Sequence, residues 1–230
     1  MASFIKNWKS YINENYIASR YPFRIYCDMD GVLVNLVQGI IDGAGFKIAD
    51  DDVKQRTALF NIMNSSQMWE SFKGKSPAHD EVLDKMFDLM QDNAEFWADL
   101  PPTSDAQALW DIISPYDPFI LSMPWKNKKT NKYDEDCKLG KRMWFMGRKI
   151  SNPPPQSRIL LVGDKGTPYK EAYAYNTAMK SPNILIDDMP RFLGPWEDAG
   201  GYAIHHTSAA NTGKLLDEAI AYILSKKESM

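Results

Sequence analysis

The chain has 230 residues, 44% of them hydrophobic and 25% charged, with 27 Lys and Arg set against 30 Asp and Glu for a net charge of -3. That length lets one large domain, or a core with a smaller appendage, bury a substantial interior without the disulfides that small scaffolds need. The composition is that of a globular protein, not a disordered or fibrous one, and the charge gives no global attraction for a nucleic-acid backbone, so any such contact would be local.

Residues 3–18 place Phe4, Ile5, Trp8, Tyr11, Ile12 and Tyr16 at helical spacing, which predicts an amphipathic helix packed on the body. This segment lacks an apolar signal core, and no stretch reaches the roughly 18 uninterrupted apolar residues that a membrane span needs. A cytoplasmic location without membrane partners is expected. Residues 23–27 (FRIYC) then read as a short buried strand that ends abruptly in Asp28-Met29-Asp30-Gly31. Cys27 closes that apolar run and Cys137 sits in a charged loop; neither has metal-ligand spacing around it, so both are read as reduced thiols.

Residues 36–100 differ in texture, with helical periodicity through Val82, Leu83, Met86, Phe87 and Met90. They are expected to form a helical cap inserted after the first strand. The catalytic core then comprises residues 1–35 and 101–230, rejoined at Leu100-Pro101-Pro102-Thr103. A helix over 104–113, capped by Thr103 or Ser104, leads to a second strand at 118–122 (PFILS). Residues 126–138 (KNKKTNKYDEDCK) read as a charged loop. Further apolar runs at 158–165, 183–188 and 202–205 each end in polar residues, and 211–225 reads as a closing helix. Unalternating apolar runs belong to strands covered on both faces, as in a parallel α/β sheet, whose ligands bind beyond the carboxyl ends of the strands. Asp28, Asp30, Ser122, Lys165, Asp187 and Asp188 are thereby delivered to one edge.

That set suits hydrolysis of a phosphate monoester, which needs a nucleophile, a proton donor for the leaving oxygen and cations for the transferring group. Asp28 and Asp30, spaced i, i+2 on the turn leaving a strand, can supply the first two, and an attacking aspartate forms an aspartyl-phosphate. The crowded carboxylates call for Mg²⁺, which favours oxygen ligands, with Asp188 or Asp187 completing its site. Ser122 and Lys165 would hold phosphate, with Lys170 and Lys141 as alternatives to Lys165. Adjacent His205 and His206 point apart in a strand and are read as structural or surface residues, not metal ligands.

These motifs, in this order, resemble those of the haloacid dehalogenase (HAD) superfamily: DMDGV at 28–32 is similar to its DxDG[TV] signature, Ser122 to its second motif, Lys165 to its third and IDD at 186–188 to its fourth. A closer resemblance is to the 5'(3')-deoxyribonucleotidases, carried by DMDGVLVN, LPPTSDA, SMPWK ending at Lys126, KRMW at 141–144, Asp164-Lys165, ILIDDMP, Trp196-Glu197 and Ile204-His205-His206. It implies a HAD-like Rossmannoid core. It further implies Asp28 as nucleophile, Asp30 as acid/base and backbone ligand, Asp188 as side-chain ligand of Mg²⁺, and Ser122, Lys126 and Lys165 around phosphate. The implied substrate is a small-molecule nucleotide, a (deoxy)ribonucleoside 5'-monophosphate; nucleic acid is not the expected partner, and a homodimer is compatible with the reading.

The chain departs from the pattern at Asn35-Leu36, where the family has Asp-Phe with a base-stacking Phe, and at Met123, which replaces a hydroxyl. Trp69, Phe72, Phe96 and Trp97 are candidate stacking residues, with packing inside the cap as the alternative. The competing readings are a HAD phosphatase for a sugar phosphate or for a nucleic-acid 3'-phosphate, the latter supported by the basic loop at 126–138, and a non-catalytic binding protein of the same fold.

Overall fold

The computed structural model describes residues 21–48, 52, 54–57, 77–127, 132–163 and 167–228. The expected helix at 3–18 and residues Trp69, Phe72 and Lys165 lie outside the described residues.

Strand β1 (Ile25–Cys27) is followed, among the described residues, by the helices α1 (Leu36–Gly43), α2 (Pro77–Met90) and α3 (Ala94–Asp99), then by α4 (Ala106–Ile113) and β2 (Phe119–Ser122). A hairpin of β3 (Lys126–Asn127) and β4 (Lys132–Tyr133) leads into α5 (Glu135–Met146) and β5 (Ile159–Leu161). After a second small hairpin, β6 (Tyr175–Asn176) and β7 (Ser181–Pro182), come β8 (Ile184–Asp187), α6 (Pro190–Asp198), β9 (Tyr202–His205) and α7 (Ala209–Glu228). The central sheet has the order β5-β2-β1-β8-β9, and every pair in it is parallel. The chain is therefore an α/β protein with a five-stranded parallel sheet, as its apolar runs predict.

Alternation along these short strands feeds two apolar layers. Ile25, Cys27, Ile120, Ile184 and Ile186 join one cluster with Leu109 and Trp110 of α4 and Leu216 and Ile223 of α7. Tyr26, Leu121 and Leu185 face the other way and pack with Trp196 of α6. Since both faces are covered, no strand could carry polar alternation, and the sequence reads as unbroken apolar runs.

The described elements between β1 and α4 are helical. The two ends of this segment run side by side: Val34 and Pro102 form an antiparallel bridge, the Asn35 N–H donates to the Pro101 carbonyl at 2.8 Å, and the Thr103 N–H donates to the Leu33 carbonyl at 3.0 Å. Met86, Met90, Trp97 and Leu100 belong to the same apolar cluster as Ile25 and Ile184, so this helical segment is packed into the core.

Two expectations are corrected. The helix before β2 begins at Ala106 with Asp105 at its N-cap, not Thr103 or Ser104, because the Thr103 hydroxyl donates instead to the Val32 carbonyl at 2.8 Å. Segment 126–138 is not one loop. It contains the β3–β4 hairpin, and its acidic run is a helix start: Asp134 caps α5 by accepting from the Cys137 N–H at 2.9 Å, with Glu135 and Asp136 in the first turn, where the helix dipole favours negative charge. Cys137 is consequently buried, and desolvation pushes its thiol up to about 12; Cys27 is also buried and raised, and both are free thiols.

Candidate active site

β1 lies at the point where strand order reverses, with β2 on one side and β8 on the other, so a crevice opens beyond its carboxyl end. The Asp28 N–H still donates to the Ile186 carbonyl at 2.9 Å, continuing the ladder. Met29 turns into the core, while Asp28 and Asp30 line a cavity of about 370 Å³ together with Ser122, Lys170 and Asp188. Gly31, at φ +81°, reverses the backbone so that its N–H donates to the Val34 carbonyl at 2.8 Å.

Two buried lysines organise the carboxylates. Lys170, in a 3-10 turn (Lys170–Tyr173), places Nζ 2.7 Å from Asp187 Oδ2 and 3.0 Å from Asp28 Oδ1. The Asp28 contact is an ion pair that leaves Oδ1 without a hydrogen bond of good geometry. Lys141, in the middle of α5, donates to Asp30 Oδ2, to Ser122 Oγ at 2.9 Å and to the Met123 carbonyl at 3.1 Å. Burial alone would favour neutral amines, but nearby carboxylates, Asp30 for Lys141 and Asp28 with Asp187 for Lys170, outweigh it and hold both pKa values above the ordinary lysine value.

The carboxylates divide by their partners. Asp187 is satisfied, with Oδ2 accepting from Lys170 and Oδ1 from the Met189 N–H at 2.8 Å. Asp188 is not, since its Oδ1 is buried without a hydrogen-bond partner, as is Asp30 Oδ1. Burial first, then the charges of Asp28 and Asp187, push the Asp188 carboxyl up to about 8. Asp187 is raised to about 6 for the same leading reason, and Asp30 is raised by burial against the pull of Lys141.

Oxygens of Asp28, Asp187 and Asp188 lie within 4.8 Å of one another. Four carboxylates (Asp28, Asp30, Asp187, Asp188) meet the ammonium groups of Lys141 and Lys170 here. Orphaned carboxylate oxygens gathered in one cleft fit a hard divalent cation, and Asp28 and Asp188 are the side chains placed to hold one.

Of the residues expected at the site, Asp28, Asp30, Ser122, Asp187 and Asp188 are brought together. Lys126 is exposed on the β3–β4 hairpin and is not among the residues lining the cavity. Lys170, the sequence's alternative to Lys165, contacts Asp28, and Lys141 contacts Asp30 and Ser122. The remaining cavity wall includes Leu36, Val37, Met123, Arg191 and Phe192. Phe96 and Trp97 do not line it; Trp97 is buried, with its indole N–H donating to the Met90 carbonyl at 2.9 Å, and Phe96 packs edge-on against it. Neither histidine sits in the metal cluster: His205 Nε2 lies 3.0 Å from the Asp188 carbonyl oxygen, and His206 Nδ1 lies 2.8 Å from Thr212 Oγ1. No helix among the described residues is long and apolar enough to cross a membrane.

No protein-family model matches the chain, and no curated protein matches it in sequence. Solved structures resemble it at low identity. A hydrolase from Streptococcus pneumoniae TIGR4 aligns with a TM-score of 0.48 and 16% identity over 85% of this chain and 99% of its own. A HAD-superfamily hydrolase, subfamily IA, variant 1, from Geobacter sulfurreducens PCA aligns with a TM-score of 0.47 and 14% identity over 88% and 99%. An L-2-haloacid dehalogenase from Xanthobacter autotrophicus aligns with a TM-score of 0.44 and 13% identity over 78% and 75%.

Proposed function

We propose that this protein is a Mg²⁺-dependent phosphomonoesterase of the HAD type that works through an aspartyl-phosphate on Asp28, with nucleoside 5'-monophosphates as its substrates. The observation that carries the reaction class is the cleft at the end of β1, where Asp28 pairs with buried Lys170 and stands beside the unpartnered carboxylate of Asp188. The nucleotide preference rests on the motif resemblance.

In the first half-reaction a carboxylate oxygen of Asp28 attacks phosphorus, the bond from phosphorus to the ester oxygen breaks, and Asp30 gives its proton to the departing alcohol. A burial-raised carboxyl suits that donor role. In the second half-reaction Asp30 takes a proton from water as the water attacks phosphorus, releasing phosphate and restoring the Asp28 carboxylate. Lys170 keeps Asp28 oriented and offsets charge on the phosphoryl oxygens, and Ser122 has a hydroxyl at the cavity wall to donate to one of them. Mg²⁺ held by Asp28 and Asp188 would screen the repulsion between the nucleophile and the phosphate dianion.

The test is a screen of the purified protein against phosphate monoesters, with and without Mg²⁺. The panel includes dTMP and dUMP, a sugar phosphate and a 3'-phosphorylated oligonucleotide. Mg²⁺-dependent release of phosphate from the mononucleotides is expected, together with a loss of about a thousandfold or more in Asp28→Asn. Turnover of the oligonucleotide alone would overturn the substrate assignment, and undiminished activity in Asp28→Asn would overturn the nucleophile.

A further inference from the structure

Lys141 is fully buried, yet it does not belong to the strand ends that build the cleft; it projects from the middle of α5. An ammonium has three donors. All three of this one have acceptors: Asp30 Oδ2, Ser122 Oγ at 2.9 Å and the Met123 carbonyl at 3.1 Å. Lys141 thus ties the turn after β1 to the end of β2. Its engagement of Oδ2 leaves Asp30 Oδ1 as the oxygen without a hydrogen-bond partner.

The lysine is itself held from the inserted helices. A Cβ on Gly140 would lie 2.3 Å from the Ala94 carbonyl oxygen and 2.5 Å from Trp97 Cβ, so α3 and α5 touch backbone to backbone at the residue before Lys141. The Trp97 ring centroid is 5.5 Å from Lys141 Nζ, within cation–π range.

We propose that Lys141 is a positioning residue: it fixes the Asp30 carboxylate for proton exchange with the leaving alcohol and with water, and it does not anchor phosphate. The inference rests on the phosphomonoesterase reading, and it predicts a particular division of effects. Removing a phosphate anchor weakens binding of substrate and of inorganic phosphate, whereas removing a group that acts through Asp30 lowers turnover and leaves binding alone.

The experiment compares wild type, Lys141→Met, Asp30→Asn and the double variant on the alkyl monoester that the wild type hydrolyses best, with the inhibition constant of inorganic phosphate as the binding readout. Lys141→Met should lower kcat about a hundredfold, within the range of general acid–base contributions. KM and the phosphate inhibition constant should stay within about twofold of wild type. In the Asp30→Asn background, Lys141→Met should cost little further, since both changes disable one unit.

A rise of about tenfold in KM and in the phosphate constant with kcat preserved would make Lys141 a phosphate anchor and overturn the proposal. An equal kcat loss in both backgrounds would make its role generally structural and overturn it as well. If Lys141→Met does not fold, Lys141→Gln, which retains a donor in the interior, carries the same comparison. Absence of Asp28-dependent hydrolysis on any monoester is a different result: it sinks the phosphomonoesterase reading, and this inference falls with it.

Discussion

At Gly31 the backbone takes φ +81°, and a Cβ there would lie 2.1 Å from Asp188 Oδ2 and 2.5 Å from its Cγ. Side chains essentially never approach so closely, so Gly31→Ala must displace the Asp188 carboxylate, in addition to the strain of about 1 kcal/mol that a non-glycine residue bears at positive φ. A displacement of about 1 Å at a reacting centre costs about a hundredfold. Gly31→Ala should therefore lose about that much in kcat/KM and most of the Mg²⁺-dependent rise in Tm, resembling Asp188→Asn in both. Thermal melts across a Mg²⁺ titration check this, and an unchanged Mg²⁺ shift in Gly31→Ala would sink it. Asp28, Asp30, Ser122, Asp187 and Asp188 were legible because each terminates an apolar run and a strand has one direction. Lys141 and Lys170 were legible only as alternatives. A lysine reaches roughly 6 Å from its Cα on a flexible four-carbon stem, so its charge can enter a site from an element that does not end there.

At the scale of elements, α5 links the inserted helices to the cleft. Its Gly140 face lies against the Ala94 carbonyl and Trp97 of α3, Trp144 donates its indole N–H to the Leu100 carbonyl at 2.8 Å, and Lys141 points into the site. Gly140→Ala places a methyl group against backbone, which cannot yield as a side chain would. It should destabilise the protein by about 1–3 kcal/mol, the usual range for overpacking. Activity should fall along with stability as α3 is pushed from α5 and Lys141 shifts with it, whereas Gly194→Ala, whose Cβ meets nothing within 4 Å, should leave both nearly unchanged. Thermal denaturation beside steady-state kinetics distinguishes these, and equal stability of the two variants would show that the α3–α5 contact is not tight. The sequence misread this region because the polar run Asp134-Glu135-Asp136 belongs equally to a loop and to the first turn of a helix. The apolar positions that bury α5, Cys137, Trp144 and Phe145, come too late and too sparsely to decide.

At the scale of the whole molecule, the parallel sheet makes the protein readable and also places a titrating group in its interior. Strands covered on both faces announced themselves as apolar runs, and the order of polar residues at their ends carried the motif resemblance. The packing of the helices between β1 and α4 was not legible, since helical periodicity does not say which surface receives an apolar face. The same covering buries His206 beyond β9. Its backbone N–H donates to the Asp187 carbonyl at 2.9 Å, and its ring Nδ1 lies 2.8 Å from Thr212 Oγ1 in α7. Desolvation lowers its pKa from 6.5; His205 acts in the same direction and Asp105 opposes them. A lowered folded-state pKa means that the unfolded chain binds the proton more readily, so this contribution to stability is complete above pH 6.5 and is lost as pH falls through the folded value. His206→Gln, which keeps a polar partner for Thr212 but cannot titrate, should consequently lose less Tm than wild type between about pH 7.5 and about pH 5. Parallel Tm profiles for the two proteins over that interval would show that His206 is not held neutral by the fold. A difference confined to the acidic side, with little gap above pH 6.5 beyond the cost of the substitution itself, is the outcome the buried imidazole requires.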